Sequence, residues 1–420
     1  MRALVFDKSK YDWETSKGFD LVDVPKPELL LSPSLIKEGA GGRSVIIKVF
    51  YAGVCGTDKG IWHRQAMKDL LLNSIDAESP LPNPSHQGEG KKNKNSPPPL
   101  VGGGREGGNK SYRILGHEFF GEIVEVGKAA AKDYKLKVGD FVTCESHVVC
   151  NRCFQCLRGE KQVCTNEKIL GISHDGCFAE YIKVPAHIVW KTDTAKIRPE
   201  IAAMQEPFGN AVHAASKVDL KDKTIAIFGL GPIGMFLLLV ARGMGAKNII
   251  GVEPNPIAAE MAKKLGIDYV IKLPQTNADK KPYEYNSEVI DEITKITGGL
   301  GADVAFEMSG FNSSFNNALF AARRGGDAIL FGIKGGDFVL QNYNRFIVRG
   351  LTLHAVIGRQ LWQTWETTRK LMEDPSNGIQ EKIFNIILNR GEGTILPISE
   401  YTKERFEKMM AEHPKFLIQF

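Results

Sequence analysis

The sequence predicts an α/β chain whose second half is a doubly wound parallel sheet. Three observations lead there. From Thr224 onward, short apolar runs alternate with longer stretches of helical length. Gly229, Gly231 and Gly234 form Gly-x-Gly-x-x-Gly where the first run passes into the first stretch. A carboxylate, Glu253, closes the second apolar run nineteen residues after Gly234.

In order, TIAIFGLG reads as a buried strand ending in glycines and PIGMFLLLVARGMG as the helix after it; NIIGVE and PIAAEMAKKLG repeat the pair. YVIKL, ADVAFEMSG, DAILFGI and LTLHAVI supply four further strands. Such alternation implies a parallel sheet joined by right-handed crossovers. The bare backbone of Gly229, Gly231 and Gly234, with Pro232 and Ile233 opening the helix, suits a pyrophosphate at a helix N-terminus. Glycine-rich turns are common, so the pattern alone is weak. Its place between strand and helix, answered by Glu253, makes it the Rossmann-type site of a nicotinamide dinucleotide. Glu253 can accept hydrogen bonds from a free ribose diol and would repel a 2′-phosphate, and Pro254, Asn255 and Pro256 offer no arginine, so NAD is expected over NADP.

At 420 residues the chain exceeds one comfortable core and reads as about two domains. Its 43% hydrophobic and 25% charged fractions are ordinary, and a net charge of +5, spread along the chain, predicts no nucleic-acid partner. No apolar window approaches the roughly 18 to 20 uncharged residues of a membrane helix, and MRALVFDKSKYDWETSKGFD is not a secretory signal, so a cytoplasmic protein is expected, with no membrane partner. Residues 73–110, rich in Pro, Gly, Asn, Ser and Lys, read as a solvated low-complexity insertion.

In that setting thiols stay reduced, which gives CNRCFQCLRGEKQVC its meaning. Cys150, Cys153, Cys156 and Cys164 put four thiolates on one small lobe, residues 150–164, enough for a closed tetrahedral structural zinc site. Arg152, Arg158 and Lys161 offset part of the charge. An iron–sulfur cluster or a redox pair could use the same ligands. A closed site does no chemistry, so the reaction belongs elsewhere.

YAGVCGTDKGIW places Cys55 two residues before Thr57, and RILGHEFFGEIVEVG carries His117 and Glu118 together. Cys, His and a carboxylate are good zinc ligands, and three protein ligands leave one position open. Taken singly, Cys55 is more often a small buried thiol and His117 a satisfied core histidine.

Together the motifs carry a resemblance. Cys55 with Thr57, GHEFFGEIVEVG, the four-cysteine lobe, DGCFAEY and the nucleotide-binding half stand in the order found in the zinc-dependent medium-chain alcohol dehydrogenases. Within them, QEPFGNAVH, FEMSG, GRQLWQTW and His147 are most similar to the L-threonine 3-dehydrogenases. The resemblance implies a catalytic zinc on Cys55 and His117, with Glu118 and Glu206 as direct or exchanging ligands, and Thr57 relaying the alcohol proton. It also implies that Glu145 and His147 lie near the substrate. Two zinc ions per chain and NAD would be the cofactors, and a small-molecule secondary alcohol the substrate, L-threonine going to 2-amino-3-oxobutanoate. A polyol, sugar or simple secondary alcohol is the alternative, and a non-catalytic paralogue a remoter one. The fold implied is a Rossmann-type doubly wound parallel sheet inserted into a GroES-like β-rich catalytic domain: residues 1–208 and 355–420 around 209–354. A homotetramer, or else a dimer, is implied as the assembly. One position departs from the pattern. Where threonine dehydrogenases carry a relay histidine three residues after the threonine, this chain has Gly60, with His63 three residues further on.

Overall fold

The computed structural model describes residues 1–29, 42–78, 110–273 and 281–420. Two large sheets organise it. The first is built on the ten-residue strand Ser44–Gly53, which pairs antiparallel with Glu118–Val126 along one edge and with Tyr181–Pro185 and Leu417–Gln419 along the other. Val45, Ile46, Ile47 and Val49 are fully buried, so both faces of this strand are covered, and its apolar run lies in a core with Leu4, Phe119, Phe178 and Phe416.

The second sheet is parallel and six-stranded, in the spatial order Tyr269–Lys272, Asn248–Glu253, Thr224–Phe228, Ala302–Glu307, Ala322–Leu330, Thr352–Ala355. Chain order reverses between Thr224–Phe228 and Ala302–Glu307, which leaves a crevice at their carboxyl ends, the usual ligand position in such sheets. Every strand expected here is present. The strand expected from DAILFGI starts earlier, at Ala322, with a register shift against Ala302–Glu307. The helix Pro232–Gly243 packs between sheet and helix Gln205–Ala215: Met235 to Ala241 are all buried, which accounts for an apolar run with no polar face.

One expectation fails in part. Asn73–Glu78, placed in the low-complexity insertion, form the last turns of the helix Lys68–Glu78. Leu71 and Ile75, four residues apart, are both buried, and this one-sided apolar pair anchors the helix. Residues 79–109, the rest of the expected loop apart from Lys110, lie outside the described residues. Among the described residues no helix is long and apolar enough to cross a membrane.

Candidate active site and metal centres

Strand register assembles the first centre. Gly53 pairs with Glu118, so Cys55, just past the end of one strand, meets His117 and Glu118 at the start of another, despite the insertion between them in sequence. The ligand atoms of Cys55, His117 and Glu118 lie within 4.8 Å of one another. Leu417 also pairs with Gly53, on the opposite edge, which carries Lys415 to the same place. Lys415 is buried, ion-paired to Glu118 Oε2, and donates to the Val54 carbonyl at 3.1 Å.

Cys55 caps the helix Gly56–Trp62, and Asp58 three residues on accepts its backbone N–H at 2.9 Å. The other Asp58 oxygen stands 3.7 Å from His117 Nδ1, an orienting partner that the sequence reading did not assign. Burial alone would lower the His117 pKa, but Asp58 and the Cys55 sulfur overcome it and raise it well above the ordinary value. Thr57 Oγ1 is 4.0 Å from the Cys55 sulfur, within reach of anything bound there.

The residues fit a zinc ion. Glu118 Oε1 is buried with no hydrogen-bond partner, and the donor set is sulfur, nitrogen and carboxylate. Glu206 lies outside this group, though near enough to His117 to raise its pKa. Its carboxylate is ion-paired to Arg359 at 2.9 Å.

Arg359 and Trp365 are further residues of the site to which the sequence reading gave no role. Both stand in GRQLWQTW, one of the quoted motifs, so the signal was present. Glu145, expected beside the substrate, exposes no surface: Arg359 donates to both its oxygens, Trp365 Nε1 to one at 2.9 Å and the His147 N–H to the other at 3.1 Å. It is an anchor for Arg359. Through that guanidinium its carboxyl is held below the usual range although burial pushes the other way. His147 keeps a partly open ring whose Nδ1 meets Glu167 at 2.8 Å, and a Cβ on Gly358 would come within 3.5 Å of that ring.

In the cysteine lobe, Cys150, Cys153, Cys156 and Cys164 bring their sulfurs within 4.8 Å of one another. Burial pushes the Cys164 thiol up to about 12, while backbone N–H groups, that of Cys156 first, pull Cys153 down to about 5. Four sulfurs at this spacing fit a tetrahedral zinc, which would hold them as thiolates. Leu361 packs on Val149, Cys156 and Cys164, joining the lobe to the Arg359 segment.

At the crevice of the parallel sheet, Gly229 has φ +97°, open to glycine at little cost, and a Cβ on Gly234 would run into the Gly229 carbonyl. A Cβ on Gly231 would meet nothing, so its bare backbone faces open space at the N-terminus of Pro232–Gly243. Pro232 occupies the first turn, where its missing N–H is no loss, and Ile233 is half-buried beside it. Glu253 accepts the Leu230 N–H at 2.7 Å and the Asn255 N–H at 2.9 Å, bracing the glycine turn; each carboxylate oxygen retains a lone pair for a ribose diol. These features fit a dinucleotide.

Comparison with known proteins agrees. Residues 41–194 match the alcohol dehydrogenase GroES-like domain and residues 232–374 the zinc-binding dehydrogenase family. The L-threonine 3-dehydrogenase of Pyrococcus horikoshii is 34% identical over 354 residues, 84% of this chain and 82% of that protein. That of Symbiobacterium thermophilum is 34% identical over 377 residues, 90% of this chain and 89% of its own. Among solved structures, the alcohol dehydrogenase TADH from Thermus sp. ATN1 superposes with a TM-score of 0.72 at 21% identity, covering 100% of this chain and 99% of its own. Galactitol-1-phosphate dehydrogenase from Escherichia coli gives 0.71 at 20% identity, covering 100% of both chains, a likeness of fold alone. The chain is an oxidoreductase and belongs to the zinc-dependent medium-chain alcohol dehydrogenases, which work with zinc and a nicotinamide dinucleotide.

Proposed function

We propose that the protein oxidises L-threonine to 2-amino-3-oxobutanoate with NAD. The group Cys55, His117 and Glu118, its histidine and glutamate buried, carries the reading, as a three-ligand site with a position to spare. The curated relatives, which bear the name L-threonine 3-dehydrogenase, supply the substrate. Two zinc ions per chain are proposed, one on this group and one on Cys150, Cys153, Cys156 and Cys164. The first, when bound, supplies Lewis acidity to the substrate hydroxyl, and NAD accepts the hydride. The chain's own residues do the rest. Asp58 orients His117, Thr57 takes the hydroxyl proton away, and His147, steered by Glu167, faces the substrate's polar end. Glu253, with no arginine after it, favours NAD over NADP.

We further propose that residues 1–208 and 355–420 form the catalytic domain around the nucleotide-binding residues 209–354, and that the protein is cytoplasmic and homotetrameric or dimeric. Support for assembly comes from the edge strand Thr352–Ala355, whose outer N–H and C=O groups face no other strand among the described residues. Exposed Leu353, Ile357, Ile347 and Val348 border it.

The test is NAD reduction by the zinc-replete protein with L-threonine beside sorbitol, glucose and 2,3-butanediol, with NADP in parallel. Turnover confined to threonine and NAD is expected. Silence on threonine with turnover of a polyol or sugar would overturn the substrate while leaving the family chemistry.

A further inference from the structure

The two carboxylates offered to the catalytic metal are held in different ways. Glu118 meets a buried cation, Lys415, with one oxygen and keeps the other, Oε1, without a partner inside the ligand group. It can bind a metal without releasing its cation. Glu206 lies outside that group, its Oε1 against Arg359 Nη1 at 2.9 Å.

Arg359 cannot follow Glu206 if Glu206 moves. The guanidinium is 2% exposed. Nε donates to Glu145 Oε2 at 2.8 Å and Nη2 to Glu145 Oε1, the bidentate pairing that fixes an arginine in plane and register. Nη2 also donates to Ser146 Oγ at 2.8 Å, and Nη1 to Asn210 Oδ1 at 2.8 Å. Trp365 Nε1, at 2.9 Å from Glu145 Oε2, holds the anchor itself. Asn210 and Glu206 are four residues apart on the helix Gln205–Ala215, so one Nη1 faces both. Two carboxylates against one guanidinium leave a surplus negative charge, and only Glu206 borders the metal ligands.

We propose that Arg359 is a positioning residue that parks Glu206 off the catalytic metal at rest, so that Glu206 enters the ligand set only by giving up this ion pair. The proposal rests on a zinc bound by Cys55, His117 and Glu118. The fourth position beside Cys55, His117 and Glu118 would thereby stay open to substrate.

The experiment follows transfer of zinc from the zinc-replete holoenzyme to a chromophoric chelator. Cys55→Ser identifies the phase that belongs to the catalytic site. Arg359→Gln is expected to slow that phase about tenfold, the scale on which outer partners act on metal affinity. Adding Glu206→Gln to Arg359→Gln should restore the original rate, and Glu206→Gln alone should leave it unchanged. A purely structural arginine would give the opposite sign, faster loss with no restoration, and that result overturns the proposal. Should Arg359→Gln fail to fold, Glu145→Gln with Arg359→Gln removes the stranded charge, and the single Glu206→Gln still decides. Tenfold faster release from Glu206→Gln would make Glu206 a resting ligand and sink the idea. A wild-type protein with no phase sensitive to Cys55→Ser would instead remove the catalytic zinc itself, and the proposal with it.

Discussion

At Gly60 the backbone has no room for the relay histidine that the family resemblance implies. An added Cβ would stand 2.8 Å from the Cβ of Ala66. Gly60→His should therefore cost about 1–3 kcal/mol, as overpacking does, and Gly60→His with Ala66→Gly should recover most of it in chemical denaturation. A single variant as stable as the parent would show that the turn after this helix gives way freely. His63 is exposed at the C-cap, six residues beyond Thr57 and so on a different face of the helix. Lys59 has turned inward, donating to the carbonyls of Met410 at 3.0 Å and His413 at 3.2 Å. Burial first, then the neighbouring Lys415, lowers its pKa to about 8. The folded state therefore releases this proton before the unfolded chain does. The cost of charging Lys59 is present in full below about pH 8 and falls away as pH rises from there toward 10.5. Relative to Lys59→Met, the parent should gain stability between pH 7 and 9.5; a constant difference in denaturation midpoints would contradict this. Cys55, Thr57, His117 and Glu118 were legible because short motifs carry them. Lys415 was not, since it lies 297 residues from Glu118 and only the pairing of distant strands brings the two together.

The glycine turn was readable as an element because strand, glycines, helix and Glu253 fall within one short unit that folds on local rules. The helix Lys68–Glu78 was not read at all, and its last turns fell into the expected insertion, because its second buried residue, Ile75, sits among Asn, Ser and Asp, and composition outweighed spacing. The cysteine lobe was legible as a ligand set, but not its attachment. Leu361 plugs it from a segment two hundred residues away, the same segment that carries Arg359. Cys153→Ser should therefore do more than release one zinc. It should lower the melting temperature by several degrees and weaken turnover through the displaced Arg359 segment, measured by calorimetry and zinc content together. Full activity with one zinc lost would show that the lobe is mechanically independent of the site.

At the scale of the whole molecule, the edge strand Thr352–Ala355 predicts its own test. Leu353→Lys, on a strand whose neighbours Ile347, Val348 and Ile357 are also exposed, should shift the mass in light scattering down to the monomer, with the nucleotide site still able to bind NAD. An unchanged mass would remove this edge from the proposed assembly. The parallel sheet with its right-handed crossovers followed from alternation and handedness, which need no knowledge of distant contacts. The addition of Leu417–Gln419 to the first sheet needed such knowledge, because it is a short strand with no periodic signature. That late addition sets a timetable. During synthesis, the metal motifs around Cys55 and His117 emerge early, yet the cation that steadies Glu118 follows almost three hundred residues later. A nascent chain can gather the sulfur and imidazole of the centre, but it cannot complete the surroundings of Glu118 until Lys415 has left the ribosome.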